Sequence, residues 1–445
     1  MSQEIVVIGG GLAGSEAAWQ IAEQGLRVVL YEMRPQVSTP VHQTSYCAEL
    51  VCSNSLGSNF PQKASGLLKE ELRRLNSLLL RKADENRVPA GQALAVDREK
   101  FAQGVTEALM NHPNIRLIRE EKKEIPDEIT IVATGPLTSH ALTEELKKHC
   151  GTYLYYYDAV APIVTKESLN LSKLYFASRY GHGDDKAYLN APFTKEEYEV
   201  FVHAIVGSER VPYAPHEDPK FFEACMPIEE LVDRGIDTLR FGPMKPVGLP
   251  LPGTHRIPYG VIQLRQENIE GTLYNLVGFQ TRMKWGEQER IFRTIPGFSE
   301  AEFIRFGVMH RNIFVNAPTL LEETLALKKK PKLFLAGQIT GVEGYVEDVA
   351  SGWLAGMNAV RRVKGESGLV FPRTTAIGSL MHHITHANPE SFQPINANFS
   401  LFPPLDPPVK DKTLRQQQVV ERARKAMEQL GSEMGCFKEE RVMNV

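Results

Sequence analysis

The sequence predicts an α/β protein, a Rossmann-like dinucleotide-binding domain interrupted by an inserted α+β domain. Three observations predict it. The chain opens on Glu4-Ile-Val-Val-Ile-Gly-Gly-Gly-Leu-Ala-Gly14, an apolar run that meets closely spaced glycines. Two further apolar runs meet glycine in the same way, Ile129 to Ala133 before Thr134-Gly135 and Leu333 to Ala336 before Gly337, Gly341 and Gly344. Between these two, from about Gly151, the texture changes to aromatic strand-like runs and mixed helices, the pattern of a separate α+β unit.

The first βα turn is the most informative. Ile5 to Ile8 reads as a buried parallel strand, and apolar positions after Leu12 recur at three and four residues, as in a helix. Gly9, Gly11 and Gly14 satisfy the G-x-G-x-x-G spacing, which permits the tight turn, close approach of backbone N–H groups to a pyrophosphate, and tight helix–strand packing. Gly10, Leu12 and Ala13 complete that cradle at the positive end of the helix. A second strand, Val28 to Tyr31, ends in Glu32, where an acidic side chain would hold ribose hydroxyls.

Next comes a Ser-, Asn-, Pro- and His-rich segment, Gln36 to Pro61, carrying Cys47 and Cys52. So long an irregular connection in an α/β domain points to function. Gly66 to Leu80 is expected as one helix with a core-packing leucine stripe, Ala93 to Val96 as a strand, and Arg98 to Met110 as a helix capped by Asp97. Ile115 to Ile118 and Ile129 to Ala133 are further strands. In the inserted block, Tyr153 to Tyr157, Ala159 to Val164 and a mixed series from Leu239 to Leu276 read as strands, and Lys195 to Val206 as a helix. The helix Val346 to Val363 then presents a small-residue face at Ala350, Gly352, Ala355 and Gly356. Phe371 to Pro408 is Pro- and aromatic-rich, and Thr413 to Leu430 is a terminal helix. The expected division is residues 1–155 and 316–445 for the nucleotide domain, around an insertion of residues 156–315.

Three glycine-rich strand ends favour FAD, since a nicotinamide enzyme of Rossmann type usually needs only the first. Thr134, Gly135, Gly337, Gln338, Gly341, Gly344 and Tyr345 therefore join the expected cofactor-binding residues, with the flavin ring near the Gly337 to Tyr345 turn.

Composition bounds the rest. The chain has 445 residues, is 42% hydrophobic and carries a formal charge of -3, so no global basic field advertises nucleic acid. No apolar run approaches the roughly 18 residues of a membrane span and no leader peptide is visible, so a cytoplasmic protein is expected. Five cysteines, Cys47, Cys52, Cys150, Cys225 and Cys436, suit neither a disulfide framework nor a zinc site. Cys225 precedes Met226-Pro227-Ile228-Glu229-Glu230, where Pro227 suits the first position of a helix. A helix start lowers a thiol pKa, whereas the two glutamates oppose that, so a reactive thiolate and a small packed side chain are both open readings. Cys52 is open in the same way. Arg282, Lys284, Arg290, Arg293, Arg305 and Arg311 cluster with Trp285 and His310, fitting RNA phosphates or polyglutamate carboxylates, although interleaved glutamates favour a solvated salt-bridged face. His382, His383 and His386 show no spacing that specifies a metal, and no metal is expected.

Together these stretches resemble the folate- and FAD-dependent tRNA uracil-5-methyltransferases. The resemblance runs through Gly9 to Gly14, Glu49-Leu-Val-Cys-Ser-Asn-Ser-Leu56, Pro89 to Arg98, Ala224-Cys-Met-Pro-Ile-Glu229, Phe279-Gln-Thr-Arg-Met-Lys-Trp-Gly286, Gly337 to Tyr345 and Phe392 to Asn398. A sister flavoprotein that modifies wobble uridine shares the glycine stretches but is longer. The resemblance implies methylation at C5 of uridine 54 in the T-arm of tRNA. The carbon would come from 5,10-methylenetetrahydrofolate and the electrons from FADH2 regenerated by NAD(P)H. It also implies that Cys225 is the thiolate that adds to uracil C6, and that Cys52 is a second functional thiol assisting loss of the C5 proton or protecting the reactive flavin. Arg282, Lys284, His310 and Lys410 are the candidate tRNA or folate contacts. No obligate protein partner is implied.

Overall fold

The computed structural model describes residues 4–39, 41–151, 154–181, 187–213 and 226–434, with side chains at 154–158, 310–311 and 433–434 not described. The first strand, β1 (Ile5–Ile8), leads into α1 (Leu12–Glu23) and returns through β2 (Val28–Glu32). A small antiparallel sheet and three helices follow: β3 (Ser55–Ser58), α2 (Ala64–Arg74), α3 (Leu78–Glu85), β4 (Arg87–Val88), β5 (Ala93–Val96) and α4 (Arg98–Asn111). Asp97 caps α4 by accepting the Lys100 N–H at 3.0 Å, as expected. The strands β6 (Ile115–Arg119) and β7 (Thr130–Val132) precede α5 (His140–Cys150), which the sequence reading did not anticipate.

The expected single helix from Gly66 is broken. Asn76 adopts φ +55°, and Ser77 starts α3 by accepting the Leu80 N–H. The buried Glu16 carboxylate takes both the Ser77 hydroxyl (2.8 Å) and the Leu79 N–H (3.1 Å). The leucine stripe is continuous in sequence, but a partner 61 residues away fixes the break.

The chain then leaves on β8 (Leu154–Ala159) and builds β9 (Ile163–Thr165), β10 (Tyr175–Phe176), β11 (Tyr188–Phe193), α6 (Lys195–Val206), α7 (Ile228–Asp233), β12 (Gly260–Gln266), β13 (Leu273–Leu276), α8 (Trp285–Phe292) and β14 (Phe303–Arg305). It returns on β15 (Met309–Phe314), antiparallel to β8. The expected strand Ala159 to Val164 is interrupted before Ile163 by Pro162, and residues 242–259 form no strand because five prolines there withhold N–H donors. Last come α9 (Ala317–Leu320), β16 (Ala326–Leu327), β17 (Lys330–Leu335), α10 (Tyr345–Lys364), α11 (Ala376–His386) and α12 (Lys412–Met434).

Two six-stranded sheets organise these elements, ordered β16-β17-β7-β1-β2-β6 and β10-β11-β12-β13-β9-β14. In the first, β17, β7, β1, β2 and β6 run parallel, so the three glycine-ended strands are immediate neighbours. One apolar core draws on residues between Ile5 and Cys150 and again between Phe314 and Leu430. A second large core draws only on residues between Val164 and Ala301, and Val88, Ala90 and Ala95 form a small third cluster. The expected small face of α10 packs on α1: a Cβ on Gly352 would fall 2.1 Å from the Ala13 carbonyl oxygen. Among the described residues, no helix is long and apolar enough to cross a membrane.

Helix α11 lies within the Pro-rich stretch where no helix is expected. Buried Glu71 explains it by accepting the Ala376 and Ile377 N–H groups at 2.7 and 2.9 Å, which would otherwise be orphaned. Burial pushes this carboxyl up to about 8, against the pull of the two N–H groups. The folded state therefore holds a proton that the unfolded chain releases near 4.5; the associated stability is full below that pH and is lost as pH rises through about 8. Urea unfolding at pH 5 and pH 8.5 should show a smaller loss for Glu71→Gln than for wild type, and equal losses would remove Glu71 as the source.

Candidate functional site

The parallel strands β17, β7, β1 and β2 end on a cavity of about 490 Å³, within the usual size range of ligand pockets. The first βα turn shapes its floor. Gly9 sits at φ +104°, and a Cβ there would fall 2.5 Å from the Ala133 carbonyl oxygen; on Gly14 it would fall 1.8 Å from the Gly9 carbonyl oxygen. Only glycine lets α1 start this close to the ends of β1 and β7. Gly9, Gly11, Leu12 and Ala13 line the cavity, whereas Gly10 and Gly14 shape it from behind.

Glu32 ends β2 and accepts the Gly10 N–H at 2.9 Å. Its other oxygen takes the Arg34 N–H and Nε, both at 2.9 Å. Burial opposes ionisation here, but Arg34 and the two N–H groups outweigh it and hold the carboxyl below its ordinary value. Arg34 also pairs with Glu49 at 3.0 Å, and Glu49 gathers the Gln43 and Thr44 N–H groups, which fastens the long loop beside the cavity. This Arg34–Glu49 clasp is not among the features expected from the sequence; Arg34 two residues beyond the strand-end carboxylate is the signal that points to it.

Thr134 and Gly135 line the wall after β7. Across from them, the Gly337 N–H donates to Ser351 Oγ at 2.7 Å, and Gly344 at φ +121° begins α10. Gly337, Gln338, Gly344 and Tyr345 line the cavity, while Gly341 packs against the Phe392 ring instead. Asp348, in the first turn of α10, has a buried Oδ1 without a hydrogen-bond partner. Burial, with Glu343 and Glu347 nearby, drives its carboxyl well above the ordinary range. A buried carboxyl with an unmet oxygen at the cavity wall is matched to a polyhydroxylated ligand. That orphan, the glycine cradle and the carboxylate at Glu32 all fit FAD.

Cys52 lies on the rim. The Tyr345 hydroxyl accepts its N–H at 2.7 Å and that of Ser53 at 3.0 Å, joining the thiol loop to the start of α10. The same loop is tied to the second sheet: Asn54 donates to the Gln266 carbonyl at 2.8 Å and accepts from Arg265 Nε at 2.8 Å. Arg98 bonds the Leu50 carbonyl and pairs with Glu267 at 3.1 Å. Burial, then the Arg98 charge, push the Arg305 guanidinium down to about 10.

Other expected residues lie elsewhere. Cys225 falls outside the described residues. Pro227 caps α7 and Ile228 begins it, one position later than expected. Arg282 pairs with Glu230 of α7 at 2.8 Å and stacks over the Tyr213 ring at 4.3 Å. Thr281 bonds the Glu229 carboxylate, and the Ile228 N–H reaches the Gln280 carbonyl at 2.8 Å. Residues 280–282 thus grip the helix that follows Cys225, and Arg282 is engaged in that grip. Lys284 pairs with Glu209 at 2.7 Å on the surface, and Arg290 and Arg293 pair with Glu287 and Glu289 of α8. Lys410 is exposed and without an ion pair among the described residues; the His310 side chain is not described. The free thiols described are Cys47, Cys52 and Cys150; burial pushes the Cys47 thiol up to about 11.

The profile of the family described as "Glucose inhibited division protein A" matches residues 4–367. The chain is 57% identical over 427 residues to the methylenetetrahydrofolate--tRNA-(uracil-5-)-methyltransferase TrmFO of Natranaerobius thermophilus, covering 96% of this chain and 98% of that protein. To the protein of the same name from Halalkalibacterium halodurans it is 55% identical over 431 residues, covering 97% and 99%. Among solved structures it is similar to Aquifex aeolicus GidA, with a TM-score of 0.72 at 18% identity over 99% of this chain and 77% of that one. That likeness establishes a shared fold.

Proposed function

This chain belongs to the methylenetetrahydrofolate--tRNA-(uracil-5-)-methyltransferase family, and from that we propose that it methylates C5 of uridine 54 in the T-arm of tRNA with 5,10-methylenetetrahydrofolate as carbon donor. The observation that carries the reading beyond the family name is a thiol, Cys52, on the rim of the dinucleotide cavity, its backbone held by the first residue of α10. Bound through Gly9 to Gly14, Glu32, Thr134, Gly135 and the Gly337 to Tyr345 turn, FAD reduced by NAD(P)H would supply the hydride that converts the transferred methylene to methyl. C5 of uracil is a poor nucleophile. In this reading the Cys225 sulfur bonds to C6 and the displaced electron pair at C5 attacks the folate methylene carbon; loss of the C5 proton to a base breaks the bond from that carbon to the folate nitrogen, and hydride delivered to the resulting exocyclic methylene would expel the sulfur as thiolate. Arg282, through its hold on α7, positions the segment bearing that thiol. Cys52 stands ready to assist at C5 or to shield the reduced cofactor. The domain division in this reading is 1–155 and 316–445 around 156–315, and the two separate cores support it. We take the protein to act in the cytoplasm.

The test uses purified protein, NADPH, unmodified tRNA and folate labelled in its methylene carbon. Label is expected in 5-methyluridine and should vanish when uridine 54 is replaced by cytidine. No label from wild type, alongside an active control enzyme, would overturn the reading; label persisting in the cytidine-54 transcript would overturn the assigned position.

A further inference from the structure

Helix α11 carries His382 and His386 one turn apart, and their rings lie parallel, with centroids 4.2 Å apart and planes 14° from one another. Glu323, from the turn between α9 and β16, meets both. Its Oε1 lies 2.6 Å from His382 Nδ1 and 3.6 Å from His386 Nδ1. His386 Nδ1 also lies 3.0 Å from the Thr385 hydroxyl and 3.2 Å from the His382 carbonyl. One donor atom from each of the three side chains lies within 4.8 Å of the other two.

We propose that Glu323, His382 and His386 form a binding site for a divalent transition metal of the zinc class, which fastens the end of α11 to the turn between α9 and β16. Two histidines four residues apart share one helical face and offer two nitrogens to one ion. A carboxylate completes a three-ligand set of the kind zinc accepts, leaving a position for water. Bonds of roughly 2.0–2.2 Å in a tetrahedron would bring ligand atoms about 3.3 Å apart, so side-chain adjustment alone closes the site. Access is open, since the His386 side chain is 54% exposed. Imidazole nitrogens suit zinc, cobalt and nickel; magnesium and calcium prefer sets made of oxygen alone. The spacing of these histidines specifies no metal in the sequence; the third ligand lies 59 residues before His382 and is brought beside them only by the fold. Beyond α11 the chain runs to Ile395, whose N–H donates to the Gly341 carbonyl and whose own carbonyl accepts the Glu343 N–H, so the clasp would steady the segment supporting the cavity turn.

Calorimetric titration of untagged full-length protein, with accessible thiols blocked by N-ethylmaleimide, tests this with zinc chloride and magnesium chloride as probes. One zinc per chain is expected, with no magnesium binding. His386→Ala and Glu323→Gln should each weaken zinc binding by at least about tenfold, as loss of even an outer-shell partner does at many metal sites. Zinc should raise the melting temperature of wild type but not of His386→Ala. His386→Ala changes a half-exposed residue, and an EDTA melt matching wild type will show that it folds. Absence of zinc binding to folded wild type, or unchanged affinity in His382→Ala/His386→Ala, would overturn the proposal.

Discussion

Replacing Cys225 with alanine is expected to reduce transfer of label from methylenetetrahydrofolate to tRNA by at least about a thousandfold while leaving flavin bound. The magnitude follows from the proposed role of this sulfur in making C5 nucleophilic, since loss of a covalent catalyst typically costs several orders of magnitude. Retention of flavin follows from the cavity, whose lining among the described residues comes from segments 8–142 and 337–396 and includes none of the insertion. Flavin absorbance of the purified variant and the labelled-methyl assay therefore separate the two roles. Activity within tenfold of wild type would remove Cys225 from the chemistry. Cys52→Ala provides the comparison. Tyr345 holds the backbone N–H of residue 52 and not its sulfur, so that variant should keep both loop and flavin, and any lost activity reports the thiol itself.

Gly14→Ala is expected to lose bound FAD and to destabilise the protein by about 3 kcal/mol or more, because its new methyl would lie 1.8 Å from the Gly9 carbonyl oxygen and only backbone displacement could relieve the clash. Gly104→Ala is the matched control. Gly104 lies within α4 and its methyl would meet the flexible Lys82 side chain at 3.5 Å and Asn86 Nδ2 at 3.9 Å, both ordinary contacts, so the helix should gain roughly 0.5–1 kcal/mol and flavin should stay bound. Thermal unfolding with the flavin content of each variant makes the comparison. Equal stability for Gly14→Ala and wild type would mean that α1 does not approach the turn as closely as described.

The nucleotide cradle was legible in the sequence because each part is local: a run of β-branched residues, a turn only glycine can make, and a helix with an apolar stripe. Ile5 to Glu32 and Lys195 to Val206 formed as expected for that reason. What escaped depended on partners distant in the chain. The break before Ser77 rests on Glu16, α11 starts where Glu71 meets it, and the Gly341 turn closes against Phe392. Arg282 shows the same limit in the site. As a cation in a basic stretch it suggested phosphate, yet Glu230 and Tyr213 engage it once the chain is folded.

The sequence alone determined the class of fold and the three glycine-ended strands, because local sterics and hydrophobic periodicity act between near neighbours. Tertiary structure decided which strand ends become adjacent, which carboxyl is left with an unmet oxygen at Asp348, which cations are already neutralised, and that Glu323 meets two histidines. Those outcomes depend on burial and charge pairing between segments tens to hundreds of residues apart, and these interactions exist only after the chain has closed on itself.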